Sequence, residues 1–413
     1  MVRANFSARS TAFLGRPDTV PRVSRLAIGV DGLFDGEQSL DGPTLVLVED
    51  GRIVGVQPGA EAPDGWTTRR HDGTAMPGLI DAHVHLCADG GPGALERVMD
   101  FSQGEVRATI EASLRRHLAA GVTTVRDLGD YQDAVLEWRS RNSPGLPTVV
   151  ASGTPITSVG GHCAALGGEA RGVAEIRAAV RRRAERGADI VKLMGSGGVL
   201  TPGTDTMNPQ FTEVEVRAAV DEAHRAGLPI TAHAHALDAV RQAVAAGVDG
   251  IEHCTCLTRD GVRVDDALLA ALAEAGTAVC ATLGSDPDVV VPPEIIAVAA
   301  RAGITEAALR DAAVRLHRGG IRLVAGSDGG IGPAKPHGLL PFTLEEYVLA
   351  GLPATAALRA ATSAAAEACG LPDRKGRLRA GYDADLLIVP GDPARDITAL
   401  RKPVATYLAG LPQ

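Results

Sequence analysis

The stretch PGLIDAHVHL, residues 77–86, decides the reading of this chain. It is a short apolar run closed by His83 and His85, and the two-residue spacing on a pleated strand points both imidazoles to one face. A lone HxH is more often a pair of satisfied core histidines than a metal site. Its neighbours along the chain therefore matter more than the motif itself.

Seven further strand candidates follow, alternating with amphipathic helical segments: VTTVRDLG at 122–129, PTVVASGTP at 147–155, DIVKLMG at 189–195, PITAHAH at 229–235, DGIEHC at 249–254, AVCATLG at 278–284 and RLVAGSDGG at 322–330. Strict strand–helix alternation argues for a parallel sheet wound with helices, and eight such strands close a (β/α)8 TIM-like barrel. Gly121, Gly227, Gly247 and Gly276 each stand between a helix and the next strand, where a left-handed C-cap turns the chain. A doubly wound open sheet is the competing architecture. It would not bring histidines on so many strands to one point.

Outside this region the pattern changes. RLAIGV at 25–30 and TLVLVEDGRIVGV at 44–56 carry short apolar runs, and Asp50-Gly51 is a strong hairpin signal. GRLRAGYDADLLIVPGD at 376–392 and PVATYLAG at 403–410 have the same character. The expected organisation is an N-terminal arm over 1–21, a small β-sandwich from 22–76 plus 376–413, and the barrel over 77–375.

Composition fits this size. The 413 residues are 45% hydrophobic and 22% charged, ordinary for globular domains, and exceed what one core of ordinary size needs. The net charge of −9 comes without long runs of one sign, and the basic residues are not interleaved with aromatics, so nucleic acid is not an expected partner. The cysteines, Cys87, Cys163, Cys254, Cys256, Cys280 and Cys369, form no CxxC and no framework spacing, which predicts free thiols in a reducing compartment. The first eighteen residues lack a continuous apolar segment, which argues against a secretory signal or membrane span and for a cytoplasmic protein; their shortage of acids also resembles a transit peptide. Dimers are the commonest state of soluble enzymes, but the sequence identifies no interface for a homo-oligomer.

Barrel enzymes carry their chemistry at the C-terminal ends of the strands. There this chain offers His83 and His85, then Lys192, His233 and His235, His253, and Asp328. Residues of these types on separate strand ends predict a metal centre. Lys192 needs a separate account, because an ammonium is costly inside a barrel and is repelled by a cation. Reaction of the neutral amine with CO2 gives a carbamate that bridges two ions; the other solution is pairing with an acid such as Asp328. On strand five the pleat permits either His233 or His235 to face inward. GSGGVLTPG at 195–203 lacks the Lys-Ser/Thr of a phosphate cradle and reads as a loop over the site.

Together PGLIDAHVHL, GVTTVRDLG, DIVKLMGSGGV, ITAHAHA, GIEHC, AGSDGG, ATSAAAEACGL and GYDADLLIV resemble the amidohydrolase superfamily over nearly the whole chain. The likeness is to the branch of imidazolonepropionase-like proteins, Xaa-Pro and Xaa-Arg dipeptidases and ochratoxin amidases. The resemblance implies a binuclear centre of two divalent ions, Zn2+ first among them, held by His83, His85, a carboxylated Lys192, His233, His253 and Asp328. It assigns His233 to metal and leaves His235 for substrate. Asp328 is the implied proton carrier, and His162, in SVGGHCAALGG, a substrate contact or oxyanion stabiliser. Gly160 and Gly161 would let backbone approach a ligand, and Tyr131 is a further candidate contact. The expected activity is hydrolysis of an amide C–N bond in a small molecule or dipeptide by a metal-bridging hydroxide, without a serine or cysteine nucleophile. The alternatives are a cyclic-amide, carbamate or lactone hydrolase, or a non-catalytic metal-binding barrel.

Overall fold

The computed structural model describes residues 25–141, 144–199, 201, 203–290, 293–301 and 304–413. The N-terminal arm expected over 1–21 lies outside them. All eight anticipated strands of the central region form, at Leu79–Val84, Val122–Asp127, Thr148–Ala151, Val191–Met194, Ile230–Ala236, Gly250–Thr258, Ala278–Cys280 and Leu323–Val324. They pair in parallel and in chain order, the first three in one sheet and the last five in another. No reversal of order, as in a doubly wound sheet, occurs among them.

Backbone hydrogen bonds run across both gaps between the two sheets. The Ala82 N–H donates to Ala325 O (3.0 Å), the Asp328 N–H to His83 O (2.8 Å) and the His85 N–H to Gly329 O (2.9 Å), joining the first strand to the segment after the eighth. On the other side the Ile156 N–H donates to Lys192 O and the Met194 N–H to Ile156 O, each at 2.8 Å. The donors that strands leave unpaired at a sheet edge are thereby satisfied.

Helices separate consecutive strands and bury their apolar faces against them: Gln103–Ala119, Ala134–Arg139, Gly172–Glu185, Glu213–Arg225, Leu237–Ala246, Asp266–Ala275 and Glu306–Arg318, with Leu340–Ala350 after the eighth strand. Two start at full capping boxes, Ser102 with Glu105 and Thr212 with Glu215, which satisfy two orphan amides at each helix start. The four glycines expected to turn helices into strands all have φ between 68 and 89°.

Most strands end earlier than the apolar pattern suggests. The run 322–330 is strand only at Leu323–Val324, and 278–284 only at Ala278–Cys280. Beyond these ends Thr282 and Asp328 adopt left-handed backbone, φ 48° and 60°. The exceptions are Ile230–Ala236, which runs one residue past its predicted end at His235, and Gly250–Thr258, which outlasts its predicted end at Cys254 and carries a short antiparallel partner, Gly261–Val262.

Both chain ends contribute to a separate eight-stranded sheet. Arg25–Phe34, Ser39–Glu49 and Arg52–Pro58 form a meander whose Asp50-Gly51 turn has positive φ at both residues, as the hairpin signal predicts. Thr74–Pro77 pairs antiparallel with Leu386–Val389, which pairs with Ala405–Leu408. Ile28, Val30, Val46, Ile53, Leu386, Ile388 and Tyr407 fill a core of their own.

Candidate active site

A cavity of about 230 Å³ opens at the C-terminal ends of the central strands. Its lining includes His83, His85, His162, Lys192, His233, His235, His253 and Asp328, with Leu95, Cys163, Met194, Val199 and Ile331 as its other walls. The polar residues singled out in the sequence thus converge, except that Tyr131 and Gly161 lie outside this lining. Tyr131 is half-buried against the main core. Gly161 is packed by its own chain: a Cβ there would fall 2.4 Å from Ser158 Oγ and 2.6 Å from Gln210 Oε1.

Two donor sets occur in this cavity. Nitrogen and oxygen atoms of His83, His85 and Asp328 lie within 4.8 Å of one another, as do ring nitrogens of His233, His235 and His253. In the first set the outer nitrogens are oriented by hydrogen bonds. The Nδ1–H of His83 donates to Glu252 Oε2 (2.8 Å) and that of His85 to Gly129 O (2.9 Å), which leaves both Nε2 atoms facing Asp328 Oδ1, at 3.4 and 3.2 Å. In the second set Thr282 and Thr255 hydroxyls hold Nδ1 of His253 and His235, at 2.8 and 2.7 Å, while His233 uses Nε2–H toward Gly197 O (3.2 Å). His233 therefore presents Nδ1, and its neighbours present Nε2. All three rings are present, so the choice the pleat left open between His233 and His235 is not made by distance.

Glu252 was not anticipated. On a regular strand it would face away from His253, yet both serve the site because His253 has left-handed backbone (φ 68°), which breaks the period-two alternation. Fully buried, Glu252 accepts from His83, from Arg126 Nη2 (3.0 Å) and from Thr231 Oγ1 (2.6 Å). The adjacent Glu-His pair was the available sequence signal, but an acid next to a histidine ordinarily reads as its opposite-face neighbour. A third donor set, His83, Glu252 and Cys280, shares that carboxylate, which already accepts these three bonds.

Burial governs the charges. It pulls the imidazoles of His83 and His235 down to about 4 and that of His162 to about 3, and holds His233 and His253 well below their ordinary value. Neutral imidazole is the form that binds metal. His85 moves the other way, because its hydrogen bond to Asp328 and that carboxylate's charge outweigh burial. For Asp328 the two histidines overcome desolvation and keep the carboxyl well below the carboxylate range.

Lys192 is 2% exposed, and burial lowers its pKa. Among the described residues its Nζ has no hydrogen-bond or ion-pair partner; Asp328 pairs with the histidines instead. An amine so placed is inclined to the neutral form that reacts with CO2. The donor chemistry, imidazoles, one carboxylate and a buried amine whose charged form burial disfavours, fits a pair of divalent cations of the Zn2+ type.

The model of the amidohydrolase family matches residues 74–410. The chain belongs to the amidohydrolase family. Ochratoxinase of Aspergillus niger is 28% identical over 369 residues, covering 80% of this amidohydrolase and 73% of its relative. Imidazolonepropionase of Xanthomonas oryzae pv. oryzae is 28% identical over 401 residues, with 88% and 91% covered. Among solved structures, that of a Xaa-Pro dipeptidase with methionine bound in the active site matches at a TM-score of 0.82 and 26% identity, over 94% of this chain and all of that one. The hydrolase expected from the motifs is therefore supported at the level of family and fold. No helix among the described residues is long and apolar enough to cross a membrane.

Proposed function

We propose that this amidohydrolase hydrolyses an amide C–N bond of a small molecule or dipeptide, using two divalent ions at the mouth of a closed (β/α)8 barrel, with the sheet from both chain ends folded as a β-sandwich. His83, His85 and Asp328 would hold one ion, His233 and His253 the other, and Lys192, as its carbamate, both. The observation that carries the reading is the meeting of two histidine-rich donor sets and an unpartnered buried lysine in one cavity. The bound ions would supply a water acidified from 15.7 to roughly 7 and a polarised carbonyl.

The chain's own groups do the rest. Asp328, ionised and within 3.4 Å of two imidazoles, is the acceptor for the attacking water's proton and returns it to the leaving nitrogen. His162 and His235 border the same space and contact substrate, His162 at the carbonyl oxygen. The six cysteines are unpaired and buried, which supports a reducing, cytoplasmic setting rather than a nucleophilic role.

A second reading has its own support. Beyond the donor residues the walls are Leu95, Cys163, Met194, Val199 and Ile331, and among the described residues no arginine lines the cavity. Such walls suit neutral acyl or alkyl groups as well as amino acids, which keeps cyclic amides, carbamates and lactones beside dipeptides as substrates.

Metal analysis after reconstitution with Zn2+, followed by a turnover screen of N-acyl amino acids, Xaa-Pro and Xaa-Arg dipeptides, lactones and carbamates, tests both readings. About two equivalents of metal and turnover of an amide are expected. Retention of well under one equivalent rejects the metal-dependent mechanism, and turnover confined to lactones or carbamates selects the second reading.

A further inference from the structure

The loop after the fourth strand meets the loop after the third at a single imidazole. The His162 backbone N–H donates to Gln210 Oε1 (2.6 Å), and Gln210 Nε2 is itself tied to Met194 O (2.8 Å), at the end of the fourth strand. Gly161 admits that carboxamide. On the other side, a Cβ at Gly198 would fall 2.2 Å from Cε1 of His162 and 2.4 Å from both ring nitrogens. The ring therefore lies against bare backbone, and only glycine leaves room for it.

Thr201 completes the enclosure. Its Oγ1 lies 2.7 Å from Nδ1 of His162 and 3.3 Å from the Cys163 backbone nitrogen. The Cys163 N–H can only donate, so it occupies a lone pair of the hydroxyl. Among the described residues the hydroxyl proton has no acceptor other than Nδ1. One arrangement satisfies every group: Cys163 N–H to Thr201 Oγ1, Thr201 Oγ1–H to His162 Nδ1, and the imidazole proton on Nε2. The competing arrangement puts the proton on Nδ1, strands the Thr201 hydroxyl, and leaves Nε2 to the Cys163 thiol, whose Sγ lies 3.5 Å away.

We propose that Thr201 is a positioning residue that fixes His162 as the Nε2–H tautomer, so that the ring presents a donor, rather than a lone pair, to the carbonyl oxygen of a substrate in the cavity. This rests on the hydrolase reading above. An acyl-transfer site gains from a neutral donor held in place before charge develops on that oxygen, since no reorganisation is then needed. Thr201 is not among the residues lining the cavity. It acts through the hydrogen bond that chooses the tautomer.

The experiment has two readouts. In metal-free protein labelled with 15N-histidine, long-range 1H–15N spectra give the protonated nitrogen of His162, assigned by the signals that vanish in His162→Gln. Wild type and Thr201→Ser show a proton on Nε2, and Thr201→Val, nearly the same size, loses that single pattern. Protonation on Nδ1 in the wild type overturns the proposal, and so does a tautomer changed by Cys163→Ala but not by Thr201→Val. The second readout is turnover of the amide found in the screen, with Zn2+ restored. Thr201→Val lowers kcat by about tenfold to a hundredfold with KM within about threefold, and Thr201→Ser stays near wild type. An unchanged kcat in a folded Thr201→Val protein refutes the role. Should no amide be turned over by the wild type, the hydrolase reading fails while the spectra still judge the tautomer.

Discussion

Replacing Glu252 by glutamine separates what the buried carboxylate does for the fold from what it does for the site. The substitution keeps volume but removes the charge that faces Arg126 Nη2 at 3.0 Å, with both side chains almost wholly buried. Arg126 would keep its bonds to Ala82 O (2.7 Å) and Ala368 O (3.2 Å) and lose its only counterion at contact distance among the described residues. Breaking a buried pair from one side costs about 3–5 kcal/mol. Urea unfolding at pH 7 should show a loss of that size. The pH dependence has a definite sign. Burial alone would raise the Glu252 carboxyl, but Arg126 and His83 outweigh it and hold it well below 4.5. A depressed folded pKa gives stability that is present above the unfolded value and lost as pH falls through the folded one, so the gap between wild type and variant is full at pH 7 and narrows below about pH 4.5. The same carboxylate orients Nδ1 of His83, and losing such a support lowers metal affinity by roughly 10–100-fold, measured by competition with a chelator. Adding Arg126→Met should recover much of the stability and none of the metal affinity. A Glu252→Gln protein within about 1 kcal/mol of wild type, with unchanged affinity, would refute the reasoning.

Asp328→Asn should retain metal while turnover falls by roughly 10²–10⁴-fold; unchanged turnover at full metal content would remove Asp328 from proton transfer. Lys192→Met should fold yet drop the metal content from about two equivalents toward one, and recovery of wild-type apoprotein with Zn2+ should quicken with added bicarbonate; indifference to both tells against the carbamate. Asp130 is buried with one unbonded carboxyl oxygen, and burial together with the charge of Asp127 pushes it up to about 8. A raised folded pKa gives stability that is complete below the unfolded value and lost as pH rises through the folded one, so Asp130→Asn should melt above wild type at pH 9 and approach it toward pH 5; a lower melting temperature at pH 9 would count against the assignment.

How far the sequence could be read depended on whether local pattern or backbone exception controlled the residue. The eight strands, the helix-ending glycines and the Asp50-Gly51 hairpin follow from periodicity and turn chemistry, and they form. The cavity residues were legible by type, since histidines and an aspartate at successive strand ends have few reasons to be there. What escaped depended on positive φ at residues other than glycine. His253 leaves the pleat, so Glu252 turns inward unannounced, and the eighth strand stops at Val324, well short of Asp328. Gly161 misled differently: its missing side chain makes room for Gln210, a contact 49 residues away that no local pattern encodes.

The sheet shared by the two chain ends sets a timetable for biosynthesis. Thr74–Pro77 pairs on one side with Gly32 and Leu33 of Arg25–Phe34, but on the other its partner is Leu386–Val389, more than 300 residues later. At the usual 5–20 residues per second, that partner emerges roughly 15–60 s after the strand itself. Until then Ile28, Val30 and Val46 lack Leu386, Ile388 and Tyr407, with which they share a core. A chain stalled before residue 386 would therefore display an apolar, half-paired sheet, the kind of surface that recruits holding chaperones, even while the catalytic region upstream has all of its strands.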